Sequence, residues 1–346
     1  MIRDAIAQLV AGKPLGETDA AEAMEEIMTG VATPSQLGAF LTALRLKGET
    51  VEEVTGLARV MRQKAVQVPL SPALRAVDTC GTGGDAAGTF NVSTAAGLLV
   101  AACGQPVAKH GNRAATSRSG SADVLEALGV KLELGPEQVA RCVRDVGFGF
   151  MFAPTYHPAM RHVGPTRREI GIRTVFNILG PLTNPAGVSY QVLGVADASL
   201  LRLMGEALLR LGCARALVVH GADGVDELSL SAPTRVCEVR SDAGSLREYT
   251  IAPADVGLAE RPREEVRGGD AAANAGLLRG ILAGKHSGAP ADMVALNAAA
   301  ALYVTGRVDT LADGVGQAQT VLASGRAAAT LDALVEASQA QAGAAD

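Results

Sequence analysis

RAVDTCGTGGDAAGTFNVSTAAGLLVAACG, residues 75–104, joins three kinds of sequence in one run. Residues 75–80 are apolar and β-prone, Gly81 to Asp85 pack three glycines against a carboxylate, and residues 91–104 are small and apolar with helical character. The order is strand, glycine turn, helix. Such a turn lets backbone N–H groups and a helix N-terminus converge on an anion. It is also the repeating unit of an α/β fold.

The alternation continues downstream. PVAKH (106–110) leads to a helix at 122–128, and 130–132 reads as a short strand before a helix at 136–146. Strands are expected at 148–152, 190–195 and 216–220, with a helix at 198–211, so the sheet should be mostly parallel. Two stretches depart from the pattern. Residues 172–179 read as a lone helix ended by Gly180-Pro181, and 236–240 and 247–251 read as a hairpin around Asp242-Ala243-Gly244. Residues 270–336 return to helix, clearest at 271–283 and 292–304, and the tail from Ala340 is expected to fray.

Upstream there is no strand signal. Thr33-Pro34 is an N-cap with proline at the first helical position, Thr50-x-x-Glu53 is a capping box, and a weaker helix is expected at 2–10. Residues 1–66 therefore read as four short helices. Their core is thin, so part of the stripe Leu37, Phe40, Leu41 and Leu44 is expected at a subunit interface.

Composition narrows the function. The chain has 346 residues, 48% hydrophobic and 19% charged, enough for one large or two ordinary domains with a sizeable core. A net charge of −5 with no basic stripe argues against nucleic acid as partner. No apolar run is long enough to span a membrane, and residues 1–15 lack a signal-peptide pattern. Five cysteines without a C-x-x-C fit a reducing cytosol, not a zinc site or disulfide framework.

Three further segments carry chemistry. KHGNRAATSRSGSAD (109–123) follows a strand and opens a helix near Ser121, with Lys109, Asn112, Arg113, Arg118 and several hydroxyls. Loops of neighbouring parallel strands leave from one carboxyl edge, so two anion-friendly loops suggest a ligand with two phosphates. The bland alternative is a pair of ordinary glycine turns. GADGVDELSL (221–230) adds Asp226 and Glu227 at the same edge. Magnesium takes one or two carboxylates plus phosphate oxygens, whereas an Asp-Glu pair by itself is usually a solvated loop. Ser93 offers a hydroxyl to metal or phosphate, or simply caps its helix. Finally, residues 151–187 supply Tyr156, His157, Arg161, His162, Arg167, Arg168 and Arg173, basic groups beside aromatics that suit a planar carboxylate. Packed histidines and an Arg167–Arg168 pair bonded to acids such as Glu169 are the alternatives.

As an ordered set, DTCGTGGD, NVSTAAG, KHGNRA, GSADVLEALG, FAP-x-YHPAM, RTVFNILGPLTNPAG, VVHG-x-DG-x-DELSL, GGDAAANA and LNAAAALYV resemble the anthranilate phosphoribosyltransferase family, from the helical start to about residue 336. The resemblance implies an α/β protein: a small N-terminal helical domain plus a larger α/β domain with a mostly parallel central sheet, of the nucleoside-phosphorylase type. The helical domain would be 1–66 with a returning segment near 165–185, and the α/β domain 71–346. It further implies a cytoplasmic homodimer formed through the helical domain. The implied reaction joins anthranilate to phosphoribosyl pyrophosphate (PRPP), with Mg²⁺, in tryptophan biosynthesis.

Carried over by motif, Gly81, Gly84, Asp85, Thr89, Asn91, Val92, Ser93 and Thr94 match the PRPP loop, and Lys109, Ser117 and Ser121 match further PRPP contacts. Ser93, Asp226 and Glu227 match metal positions, while Gly81, Asn112 and Arg167 match anthranilate positions. Thr166 and Ile170 depart mildly from the family pattern. A pyrimidine nucleoside phosphorylase, which shares the implied fold, and a nucleic-acid-binding homologue are the alternatives. The chemistry asks for little acid–base power. An aryl amine is neutral at pH 7 and needs placement, while the leaving pyrophosphate needs its developing charge stabilised. No catalytic residue is assigned firmly; a weak base such as His110 could take the amine proton late.

Overall fold

The computed structural model describes residues 1–85, 87–114 and 117–343. Four helices open the chain: α1 (Ile2–Val10), α2 (Glu17–Met28), α3 (Pro34–Lys47) and α4 (Val51–Lys64). The capping box expected at Thr50 forms, and the Thr33 cap proves to be a second one. Thr33 Oγ1 accepts from Gln36 N while Gln36 Oε1 accepts from Thr33 N, and Thr50 and Glu53 do the same at α4. Glu53 is buried, and its carboxylate also accepts from Leu15 N and Lys47 Nζ, both at 2.9 Å. One acid thus ties the α1–α2 link, the end of α3 and the start of α4 together.

The α/β part follows in the order β1 (Val77–Gly81), α5 (Val92–Ala102), β2 (Val107–Gly111), α6 (Ser121–Ala127), α7 (Pro136–Val146), β3 (Phe148–Phe152), α8 (Ala153–Tyr156), α9 (Gly164–Ile170), α10 (Phe176–Leu179), β4 (Tyr190–Gly194), α11 (Leu200–Arg210), β5 (Arg215–Gly221), β6 (Thr234–Arg240) and β7 (Ser245–Ile251). Four helices close it: α12 (Ala271–Leu282), α13 (Ala289–Val304), α14 (Leu311–Ala323) and α15 (Arg326–Gly343). The seven-stranded sheet runs β3-β2-β1-β4-β5-β6-β7. It is parallel from β3 to β5, and the β6–β7 hairpin adds the antiparallel edge. Strand order reverses between β1 and β4, which opens a crevice above their carboxyl ends.

Side chains alternate across the sheet. Leu217 and Val219 of β5 face a core with α5 and α13, whereas Ala216 and Val218 face a second core with α11 and the N-terminal helices. That second core also takes Val163, Val175, Phe176, Ile178, Leu179 and Leu182, so the segment between β3 and β4 returns to the helical part. Helix α9 packs on α3, with Thr166 and Ile170 facing Gly38. Arg62 at the end of α4 donates to the carbonyls of Leu182 (2.6 Å) and Leu211 (3.0 Å).

Several expectations need correction. The stripe Leu37, Phe40, Leu41 and Leu44 is at most 2% exposed within this chain, because α1 and α9 cover α3. Residues 130–132 form no strand: Lys131 N donates to Ser338 Oγ at 3.1 Å, so this backbone pairs with α15 and not with the sheet. The lone helix expected at 172–179 is only Phe176–Leu179, since Gly171 (φ 63°) ends α9 and Asn177 Oδ1 caps Thr174 N. Helix α9 itself has too little apolar periodicity to be read in advance. The tail stays helical to Gly343, and Ala344 to Asp346 lie outside the described residues.

Candidate active site

β1 and β4 end side by side at Gly81 and Gly194. Asp226 lies across both ends. A Cβ on Gly81 would strike its carboxylate, and one on Gly194 would strike its backbone. Both strand ends must therefore be bare for the loop after β5 to cross them. Two hydrogen bonds hold that loop to the first glycine turn and to α5. Gly83 N donates to Asp226 Oδ2 at 2.8 Å, and Ser93 N, in the first turn of α5, donates to Glu227 Oε1 at 3.1 Å. Glu227 thus sits at the positive end of that helix. Asn297 of α13 clamps the next residue, accepting from Leu228 N and donating to Leu228 O, both at 3.0 Å.

The acids crowd one another. Asp226 N points at Asp85 Oδ2 at 3.5 Å, and burial followed by the Asp85 charge pushes the Asp226 carboxyl up to about 7. Burial and then Asp226 push Glu227 well above the usual carboxylate range, with Lys109 opposing. Lys109 is only 2% exposed and reaches Thr79 O and Ser93 Oγ, the latter at 3.4 Å. A dication among these acids would relieve their repulsion. Among the described residues no cluster of three His, Cys, Asp or Glu side chains is arranged to hold a metal alone. This donor set suits Mg²⁺, which takes one or two carboxylates and completes its shell with ligand oxygens and water.

The second loop folds around Asp123, whose Oδ2 accepts from Ala114 N (2.9 Å) and Gly120 N (2.8 Å). Arg113 does not face a phosphate site, contrary to expectation. It pairs with Asp123 and Glu126 at 2.7–3.0 Å, acids that α6 places directly under it. Asn112, Ser117 and Arg118 are exposed, and Ser121 Oγ donates to Asn112 O at 3.3 Å. Asn91 joins this loop to the first one, donating from Nδ2 to Ser119 O at 3.0 Å and accepting from Ser119 Oγ at 3.2 Å. Thr89 pairs with Arg267, and Gly268 N donates to Gly88 O at 2.8 Å, which brings in a third loop at 263–270. Val92 and Thr94 are buried, and Thr94 Oγ1 has no hydrogen-bond partner among the described residues.

Among the described residues neither Arg167 nor the side chain of His110 or Asn112 hydrogen-bonds to Asp226 or Glu227. Arg167 is half-buried on α9, its guanidinium 5.4 Å from the Phe176 ring centre, and burial lowers its pKa. Among the described residues it makes no ion pair, whereas Arg168 is exposed. His110 stands beside His157, ring centres 5.0 Å apart, and both Nε2 atoms are buried with no partner among the described residues. Burial lowers His110 to about 3 and His157 to about 4. Asp78 holds the His110 backbone at 3.2 Å and is itself held by Asn184 at 2.8 Å.

Three further residues shape this edge without having been assigned a role from the sequence. Arg173 donates to Gly83 O at 3.1 Å and occupies the space a side chain at Gly84 (φ 76°) would need. Arg263 donates to both Ala87 O (3.0 Å) and Asp223 O (3.2 Å), linking the first glycine turn to the acidic loop. Asn274 of α12 donates to Asn91. The basic character of 151–187 flagged Arg173, and Asn274 lies in the GGDAAANA stretch of the family resemblance; nothing local flagged Arg263.

A helical bundle joined to a parallel sheet with acids over its switch point is the architecture of glycosyl transferases of one class. The α/β domain of the glycosyl transferase family matches residues 73–328, and its helical bundle domain matches 3–65. The chain is 57% identical to anthranilate phosphoribosyltransferase of Roseiflexus sp. (strain RS-1) over 98% of both chains. Its structure is similar to that of anthranilate phosphoribosyltransferase from Thermus thermophilus, at 48% identity and TM-score 0.90, covering 97% of this chain and 99% of that one. The Saccharomyces cerevisiae enzyme in complex with PRPP and Mg is 27% identical with TM-score 0.89, over 98% of each chain. In complex with 4-fluoroanthranilate the values are 26% and 0.87, again over 98% of each chain. The chain belongs to the anthranilate phosphoribosyltransferase family.

Proposed function

We infer that the chain transfers the phosphoribosyl group of PRPP to anthranilate, giving N-(5-phosphoribosyl)anthranilate and pyrophosphate, the step such an enzyme supplies to tryptophan biosynthesis. The observation that carries this reading is the Asp226–Glu227 loop lying across the β1 and β4 ends and bonded to both Gly83 and Ser93. It puts acids for a cation beside backbone N–H groups for phosphate.

In this reading Gly81, Gly84, Asp85, Thr89 and Asn91 to Thr94 hold PRPP, with Lys109, Ser117 and Ser121 adding cationic and hydroxyl contacts. Ser93, Asp226 and Glu227 hold Mg²⁺, which when bound neutralises charge developing on pyrophosphate. Lys109, buried under the same edge, adds a fixed positive charge where that charge develops. Gly81, Asn112 and Arg167 hold anthranilate, the arginine fork on its carboxylate and the neutral amine turned toward the ribose. His110 stays neutral at pH 7 and is too weak a base to activate an amine, which fits a late proton acceptor only.

The division of labour follows two bodies. Residues 1–66 with the segment near 165–185 carry Arg167; residues 71–346 carry the phosphate loops. All five exposed large apolar side chains among the described residues, Val10, Val31, Leu46, Val66 and Ile172, lie on the first body. That favours a homodimer formed there, in the cytoplasm, where the five buried cysteines stay reduced. Among the described residues no helix is long and apolar enough to cross a membrane.

The test is loss of anthranilate fluorescence on adding PRPP and Mg²⁺, run beside phosphorolysis of thymidine. Consumption of anthranilate alone supports the reading; cleavage of thymidine without it would replace the reading with a nucleoside phosphorylase.

A further inference from the structure

Asn274 sits in the first turn of α12 and is only 3% exposed. Its Nδ2 donates to Asn91 Oδ1 at 2.9 Å, across 183 positions of sequence, and its Oδ1 accepts from Gly269 N at 2.7 Å. Asn91 Oδ1 also accepts from Ser119 Oγ, so both its lone pairs are filled. Asn91 Nδ2 donates one hydrogen to Ser119 O. The network fixes which way the Asn91 amide faces and leaves it one N–H to offer a ligand. It also ties three loops at one sheet edge: the first glycine turn, the loop before α6, and the loop before α12.

The surroundings show that this junction is built for close approach. Gly268 passes so near the backbone of Phe90 that a Cβ would meet it at 2.7 Å. Asp270 caps α12 by accepting from Ala273 N at 2.8 Å, which fixes the turn that carries Asn274. The partners of Asn274 are loop groups at the ligand edge, not packing groups of the core.

We propose that Asn274 is a positioning residue for the phosphoribosyl donor: it touches no substrate, but holds Asn91 and, through it, the Ser117–Ser121 loop in the arrangement that binds PRPP. The proposal rests on the PRPP reading above.

The test is calorimetric binding of PRPP with Mg²⁺ to wild type, Asn274→Asp and Asn274→Ala, with steady-state KM for both substrates and thermal melts. Asn274→Asp keeps the size and the bond from Gly269, but sets an acceptor against Asn91 Oδ1. Both variants should bind PRPP about tenfold more weakly, the cost of one buried hydrogen bond with a partner left unpaired. The anthranilate KM of Asn274→Asp should stay at the wild-type value, and the variant should still melt cooperatively, a few degrees below wild type because a buried acceptor pair is left facing. Because Asn274 acts through Asn91, adding Asn274→Ala to Asn91→Ala should weaken PRPP no further than Asn91→Ala alone.

Wild-type PRPP affinity in Asn274→Asp would overturn the proposal, as would additive losses in the double variant. Loss of the melting transition in both single variants would make Asn274 a folding residue and overturn it too. Failure of wild type to bind PRPP would remove the functional reading as well, so the two failures are distinguishable.

Discussion

Replacing Arg167 by alanine separates the two halves of the site. Arg167 is a half-buried cation without an ion-pair partner among the described residues, resting 5.4 Å from the Phe176 ring centre. In the free enzyme its desolvation, seen as a lowered pKa, is offset only by that cation–π contact, about 0.5–1 kcal/mol. Arg167→Ala should therefore barely move the melting temperature. With substrate the balance differs, because a hydrogen bond to a charged group contributes about 1.5–3 kcal/mol. At about 1.36 kcal/mol per tenfold, the anthranilate KM should rise roughly ten- to a hundredfold while the PRPP KM holds. Arg167→Lys keeps the charge without the planar fork and should recover only part of the loss. Arg168→Ala, at an exposed position, is the control. The assay is initial rate by loss of anthranilate fluorescence, varying each substrate in turn. A raised PRPP KM with unchanged anthranilate KM would refute the reasoning, and so would an effect of Arg168→Ala with none from Arg167→Ala.

The buried histidines predict an acid limb. Their folded pKa values, about 3 for His110 and about 4 for His157, lie below the unfolded value of 6.5. Stability from this source is full above pH 6.5. It is lost as pH falls toward 4, at up to roughly 1.4 kcal/mol per pH unit for each histidine. Asp226, pushed up to about 7, acts with the opposite sign, so the measurement is the difference in urea stability between wild type and His157→Gln from pH 7 to 4.5. Parallel pH curves would contradict the prediction. Sedimentation should show a dimer at micromolar concentration and a monomer for Leu46→Asp, a position 82% exposed within the chain. A monomeric wild type would sink the interface.

What was legible in advance was local. β1, the glycine turn and α5 are contiguous, and the Thr33 and Thr50 caps are closed by residues three positions on. The acids at Asp226 and Glu227 were legible as a pair, and their place at one edge followed from parallel strands. Their seat over Gly81 and Gly194 was not, because it depends on backbone from three strands. Arg113 was misread for a physical reason: Asp123 and Glu126 intercept it, and no composition argument ranks two carboxylates against a phosphate. The Leu37–Leu44 stripe was misplaced because α9 returns to cover it from a distant part of the chain. The roles of Arg263 and of Asn274, the latter within the quoted GGDAAANA stretch, could not be read for the same cause, since their partners lie far away in sequence.

The central claim is that acids over the β1–β4 switch point drive phosphoribosyl transfer by holding Mg²⁺ against pyrophosphate. Its most direct test is pyrophosphate release, titrated with Mg²⁺, in wild type and in Asp226→Asn combined with Glu227→Gln. Wild type should release one pyrophosphate per anthranilate consumed and none without anthranilate. The double variant, folded by its melting curve, should lose about a hundredfold or more in kcat, as expected for removing charge stabilisation of a leaving group, and need more Mg²⁺ for half-activity. Equal kcat and equal magnesium dependence in the two proteins would contradict the account.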